Sequence, residues 1–266
     1  MRSILLTVFL ICASLLAGLA LCSAPLAQEV AIYYDPARGT AWVDPAQLAP
    51  AVDEALAKKN MESSIVKTDA LVTYMEANKE GIVVMTSGIV PGEIFQSKGD
   101  EDPLYEWLME GGVMFWSGDW PFYYWGDVAN CPAAQGEVSL FGVAFTQGMG
   151  PPGQPMTPTD FGKELVPSMA EHPSSRPVSL AVLENNKFEY ESYADDGSFA
   201  DPIALRTSKM EGWFVNFYTW PEDVDYAQVG LEMAELIENR FVDLVEKAVD
   251  KTGKMATTWG AIRESH

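Results

Sequence analysis

Two carboxylates, each placed just after a short apolar run, are the residues best suited to chemistry in this chain. Asp35 follows EVAIYY (Glu29 to Tyr34), and Asp119 follows VMFW (Val113 to Trp116). The ends of these and neighbouring runs carry Tyr34, Thr86, Ser87, Ser117, Trp120, Tyr123 and, further on, Trp220. Indole and phenol rings offer flat stacking faces, while hydroxyls and carboxylates fix orientation, the combination by which pockets hold polar small molecules. Such a set suits a sugar-like ligand. A second reading makes Asp35 and Asp119 a catalytic pair in a hydrolase, one of them acting as base on bound water, as glycoside hydrolysis does with two carboxyls roughly 5 to 9 Å apart. A hard divalent cation between them is a weaker variant, because no calcium-loop pattern is present. A third reading is noncatalytic: Trp120, Phe122, Tyr123 and Trp125 would form an exposed apolar patch for a protein partner. The plainest reading makes the acids turn formers or helix caps and Trp116 and Phe122 core.

Other chemistries find little support. The histidines are His172 and His266, and His172 lies in EHP, which reads as a solvated connection. A hydroxyl or thiol nucleophile needs a base in contact with it, so Ser117 would have to recruit His172 from a distant loop. The sequence has no Walker loop, dinucleotide-binding glycine pattern, HExxH, paired-cysteine metal motif or serine-hydrolase elbow, and no cofactor is predicted. The formal charge of −21 disfavours nucleic acid and anionic membranes as partners.

The elements that must position the two acids follow a βα rhythm. Glu29 to Tyr34 reads as the first strand, and Asp44, Pro45 and Gln47 open a helix with a capping box, its regular part delayed to about Ala49 by Pro50. Ser63 to Lys67 is a second strand, Thr68 caps the next helix, and Ile82 to Met85 is a third strand. Asp102 caps a helix beginning at Pro103, Gly111 and Gly112 end it, and Val113 to Trp116 form a central strand without alternation, as when helices cover both faces. The alternation argues for a mostly parallel sheet in an α/β fold, with ligands gathering at the strand ends. Residues 126–158 read as an insertion, with a short extra strand possible around Val138 to Phe145. Arg176 to Leu183 resumes the sheet pattern, Phe188 to Tyr193 reads as an antiparallel edge strand, Ile203 to Arg206 and Trp213 to Tyr218 as further strands. Asp225 and Gln228 cap a long final helix that runs towards Gly253, and residues 254–266 form a tail.

Residues 4 to 22 are almost wholly apolar behind Arg2, and small residues and a proline follow from Ser23 to Ala27. This is the layout of a secretory signal peptide, with cleavage between about Cys22 and Gln28. The mature chain would be an exported protein, periplasmic or extracellular and not membrane-spanning, with Cys131 as its single cysteine and no internal disulfide.

From Gly111 to Trp125, GGVMFWSGDWPFYYW, the order of a double glycine, a central strand and a turn with polar residues resembles the glutamine-amidotransferase-like superfamily, especially its ThuA-like branch. The resemblance spans about Glu29 to Val249 and implies a flavodoxin-like three-layer sandwich of residues 28–253. It also implies a link to carbohydrate metabolism. The amidotransferases carry a cysteine after this strand and a later HxE pair; here the turn is Trp116, Ser117, Gly118 and Asp119, and His172 is followed by Pro173 and Ser174, so glutamine hydrolysis is not implied. The ThuA-like branch often has a histidine there, where this chain has Ser117. Mass analysis of the N-terminus after expression with the native leader is expected to place the first residue between about Ser23 and Gln28; an intact Met1 on membrane-bound protein would contradict export by cleavage.

Overall fold

The computed structural model describes residues 29–149, 153–217 and 224–242. In it, short strands build a seven-stranded sheet whose central members are apolar runs covered on both faces. Strand β1 (Val30–Tyr33) lies between β2 (Ser63–Val66) and β3 (Ile82–Met85), followed by β4 (Val113–Trp116), β12 (Trp213–Asn216), β11 (Ile203–Arg206) and β8 (Glu189–Ser192). The first five are mutually parallel; β11 and β8 are antiparallel additions at one edge. All residues of β1, β3, β4 and β12 are buried, which explains runs without polar alternation.

Alternate residues of those strands serve two cores. Val30, Ile32, Val84, Phe115 and Val215 face α1 (Pro45–Lys58) and α7 (Tyr226–Leu236). Ala31, Tyr33, Met85, Met114, Trp116 and Phe214 face α2 (Thr68–Ala77), α3 (Pro103–Met109) and α4 (Gln135–Phe141). Right-handed crossovers place α1 and α2 on opposite faces, so the chain reverses its direction of winding between β1 and β3. Helix α7 continues as a π-helical turn over Ile237–Phe241, and Phe241 meets Phe115 edge-on at 5.4 Å. Among the described residues no helix is long and apolar enough to cross a membrane.

A second, antiparallel sheet is made of short strands in the order β6 (His172–Ser174), β5 (Gln154–Pro158), β9 (Ala194–Asp195), β10 (Phe199–Ala200) and β7 (Val178–Ser179). It contributes Met156 and Ala194 to one core and Val178 and Ala200 to the other. Two short helices accompany it, α5 (Asp160–Leu165) and α6 (Leu180–Asn185). Thr159 caps α5 by accepting the Gly162 N–H at 2.9 Å.

Several local expectations are corrected. Val138 to Phe145 is not a strand: its first part is the end of α4, closed by Gly142 in the left-handed region at φ 80°, the conformation glycine supplies at helix ends. Arg176 to Leu183 does not join the main sheet; Val178 and Ser179 pair in the second sheet and Leu180 starts α6. Helix α1 starts at Pro45 and runs through Pro50, and both Pro50 and Ala46, whose carbonyl loses its N–H partner, are exposed residues. Asp44 caps it through the Ala46 N–H at 3.0 Å, while the Asp44 N–H donates to the Tyr226 hydroxyl at 2.9 Å instead of to Gln47. Residues 1–27, the final helix beyond Val242 and the 254–266 tail lie outside the described residues.

The α1–α7 contact depends on one missing side chain. A Cβ on Gly230 would stand 2.7 Å from the Ala51 carbonyl carbon, which is backbone and cannot swing away. Replacing a helix-interior glycine with alanine otherwise gains about 1 kcal/mol, whereas overpacking costs about 1–3 kcal/mol. Gly230→Ala is therefore expected to lower the melting temperature by several degrees; a higher melting temperature would mean that the two helices separate freely.

Candidate functional site

The C-terminal end of β1 is tied to the start of α2 by a chain of side chains. The Tyr33 and Thr68 hydroxyls lie 3.3 Å apart, and Thr68 Oγ1 donates to Asp35 Oδ2 at 3.2 Å. Asp35 Oδ1 accepts the Ala37 N–H at 3.0 Å. Thr68 is thus not the helix cap that its position suggests. Lys67 occupies that position, and the threonine hydroxyl turns to Asp35. Burial pushes the Asp35 pKa up, but the Ala37 and Thr68 hydrogen bonds outweigh it and hold the carboxyl below its ordinary value. That suits a fixed anchor better than a general acid, which needs the opposite shift. Tyr34 is half-buried and packs its ring towards the α1 side of the core.

The next strand ends are occupied by their own backbone. Thr86 Oγ1 donates to the Tyr33 carbonyl at 2.6 Å, and Ser87 Oγ to the Ile89 carbonyl at 2.7 Å. The Ser117 N–H donates to the Met85 carbonyl at 3.1 Å, and its side chain is buried. Gly88 and Gly118 both have positive φ, +66° and +133°. A Cβ on Gly118 would lie 2.6 Å from Gly88 Cα, and one on Gly88 would lie 2.1 Å from the Ala41 carbonyl oxygen. The loop between β1 and α1 therefore rests on the ends of β3 and β4.

Asp119 has partners of its own, separate from those of Asp35. Its Oδ1 accepts from Arg176 Nε at 2.9 Å, and its side chain is only 7% exposed, so the guanidinium compensates a largely desolvated charge. The Arg176 guanidinium also lies 5.0 Å above the Trp120 ring and donates to the Ser175 and Met149 carbonyls. Trp120 stacks on Tyr123 at 5.5 Å, and Tyr123 meets Tyr124 edge-on at 4.9 Å. The Trp116 Nε1–H donates to the Asp119 carbonyl at 2.9 Å. Arg176, a single basic residue between serine and proline, carries no sequence signal of this role. Phe122, grouped there with an exposed patch, is fully buried against Phe95, Trp116 and Phe214, so that patch does not form as expected. His172 is half-buried in β6 with Nε2 2.7 Å from the Asp201 carbonyl, not a solvated loop residue. Cys131 is exposed. Trp220 lies outside the described residues. Among the described residues no group of three or more His, Cys, Asp or Glu side chains is arranged to hold a metal ion.

A buried carboxylate supports the segment that passes over this pair. Glu137 in α4 accepts the Phe145 and Thr146 N–H groups at 2.7 and 3.2 Å through Oε2, while Oε1 is buried without a hydrogen bond. Residues 145–149 then run along 175–179, with Thr146 bridged to Val178 and the Met149 N–H on the Ser175 carbonyl at 2.8 Å. Gly148 lies against Trp120 in the same stretch, where a Cβ would come within 3.1 Å of the ring.

An open concavity near these strand ends is lined by neither of the two acids. A groove of about 340 Å³ is lined by Arg38, Glu93, Gln96, Trp125, Asp127 and Asn130, together with Gly92 and Gly126. Arg38 comes from the loop after β1, the 92–96 turn from the segment after β3 and the rest from the loop after β4, so the groove belongs to the β1/β3 reversal point where open α/β sheets bind ligands. Paired backbones fix it: the Gly126 N–H donates to the Val90 carbonyl at 2.8 Å and the Trp125 N–H to the Asn130 carbonyl at 3.1 Å. Trp125 lies on Gly92, where a Cβ would approach the indole to 3.1 Å. Asp127 accepts the Ala129 N–H at 2.6 Å, and Gln96 Nε2 donates to the Gly92 carbonyl at 2.7 Å. Of these residues Trp125 alone belongs to the aromatic run that marks the loop in the sequence. A scan against protein-family models and a search of curated proteins both returned no match to this chain.

Burial pushes the Glu137 pKa up to about 7 against the hydrogen bonds from Thr146 and Phe145. A carboxyl raised in the folded state binds its proton more tightly there than in the unfolded chain, so its contribution to stability is greatest at low pH and declines as pH rises from about 4.5 to about 7. At 1.36 kcal/mol per unit this amounts to on the order of 3 kcal/mol. Glu137→Gln keeps an acceptor for both N–H groups and removes the charge. Urea unfolding is expected to show this variant gaining stability over the wild type between pH 5 and pH 8; a difference independent of pH would mean that Glu137 does not titrate in this range.

Proposed function

We propose that this chain is an exported, ThuA-like domain of flavodoxin-like fold that binds a carbohydrate-related or similarly polar small molecule in the groove at the β1/β3 reversal point. The observation that carries this reading is the lining of the groove: one indole beside carboxylate, amide and guanidinium groups in a concavity of about 340 Å³. Ring C–H faces stack on an indole and hydroxyls bond to planar polar side chains, so such a lining suits a polyhydroxylated ring. The strand order β2-β1-β3-β4-β12 supports the fold name, since it repeats the flavodoxin-like order.

In this reading the residues marked by the sequence do not all touch the ligand. Asp35, with Thr68, fixes the loop that carries Arg38. Thr86, Ser87 and Ser117 close the strand ends. Asp119 with Arg176 joins the end of β4 to the segment before β7, and Trp120 and Tyr123 extend the aromatic surface of the same loop that ends in Trp125. Binding, not turnover, is the function assigned.

Trp125→Ala and Asn130→Ala test it. Loss of one aromatic stacking partner is worth about 0.5–1.5 kcal/mol beyond its buried area, so Trp125→Ala is expected to weaken binding about tenfold or more. Ligand-observed NMR against a panel of neutral mono- and disaccharides gives the readout, with circular dichroism and melting temperature to show that the variants fold. A wild-type protein that binds no member of the panel, or folded variants that bind as well as the wild type, would reject the reading.

A further inference from the structure

The charges around the groove carry a consequence for the ligand. Its cationic lining residue is Arg38, and that guanidinium is in an ion pair with Glu93 on the adjacent wall. An arginine recognises phosphate or carboxylate by presenting two parallel N–H groups, and here Glu93 Oε1 already occupies one of them, on Nη2. Asp127 adds a second carboxylate, fixed by the Ala129 N–H. Gln96, Asn130 and Trp125 are neutral, so Arg38, Glu93 and Asp127 together leave the lining one charge negative. The chain as a whole carries −21, which extends the same sign to long range. The Arg38 and Glu93 side chains are 33% and 42% exposed, and a pair so open to water adds little to stability. Its main effect is on the local field.

We infer that the groove selects by charge, admitting an uncharged polyhydroxylated ring and rejecting the same ring bearing a phosphate or carboxylate. This rests on the groove being the ligand site proposed above, and it narrows the ligand class from polar molecules in general to neutral ones. Glu93 is the specificity-determining residue, because it cancels the charge that would otherwise attract an anion. Asp127 adds repulsion.

Saturation-transfer NMR with matched probes decides the point: glucose, mannose, galactose and N-acetylglucosamine, and beside them glucose 6-phosphate, mannose 6-phosphate, galacturonate and N-acetylglucosamine 6-phosphate. The wild type is expected to bind at least one neutral probe at least tenfold more tightly than its anionic counterpart at low ionic strength. Glu93→Gln, which frees Arg38, is expected to reduce that ratio at least tenfold, and Asp127→Asn to reduce it less; melting temperatures establish that both variants fold. Equal binding of a neutral probe and its anion by the wild type, or a ratio unchanged in folded Glu93→Gln, would overturn charge selection while leaving the groove as the site. Absence of binding for every probe, neutral and anionic, would overturn both.

Discussion

The arrangement of the sheet's C-terminal edge depends on how closely three stretches of backbone approach one another. Ala41, Gly88 and Gly118 meet where any side chain on either glycine would collide with main-chain atoms. An open α/β sheet ordinarily leaves a crevice above its strand ends at the point of reversal. Here the loop after β1 lies down on the ends of β3 and β4, with the Ala41 N–H bonded to the Ser87 carbonyl at 2.9 Å. The groove forms where Arg38, the 92–96 turn and Trp125 meet.

Much of the fold could be read directly because its strands are short and buried on both faces. VAIY, IVVM, VMFW and WFVN contain almost no polar residue, and chains of this kind have few alternatives to a central parallel sheet. Asp44, Thr159 and Asp225 also announce their helices through local hydrogen bonds that depend on neighbouring residues alone. Residues 126–158 and 172–200 were harder. Val138 to Phe145 is apolar enough for a strand, and only Gly142 in its left-handed conformation reveals that a helix has ended. Strands of two residues, such as Val178–Ser179, have no period to detect and exist because a partner fixes them.

The candidate site was legible in its acids and aromatic residues but not in their partners. Asp35 and Asp119 look alike in sequence, each an acid after a buried strand. Their environments differ because one meets local N–H and hydroxyl donors while the other meets a guanidinium 57 residues further along the chain. Local donors follow from the turn itself, as the Asp35–Ala37 bond does; a partner so distant cannot be read without the fold. The groove has the same origin, since its walls come from three loops and no motif spans them. Phe122 is the converse case: it sits in a loop whose neighbours are half-exposed, yet a positive φ of 60° turns it inward to join Phe95, Trp116 and Phe214.

The buried Glu137 and the Asp119–Arg176 pair act on the same segment from opposite ends. Glu137 holds the backbone at 145 and 146, and Arg176 holds the carbonyl of Met149, so residues 145–149 are fixed at both limits by charged groups rather than by apolar contact alone. A carboxylate desolvated without a cationic partner is costly, and Glu137 responds by keeping its proton to higher pH. The Asp119 carboxylate is instead ion-paired with Arg176. Glu137 acts through two N–H groups at the start of the segment, whereas the Asp119 carboxylate is held by the Arg176 guanidinium, which also reaches the Met149 carbonyl at the far end. The groove wall formed by Trp125 has supports of its own: its N–H donates to the Asn130 carbonyl, its carbonyl accepts the Asp127 N–H, and the Gly126 N–H donates to the Val90 carbonyl.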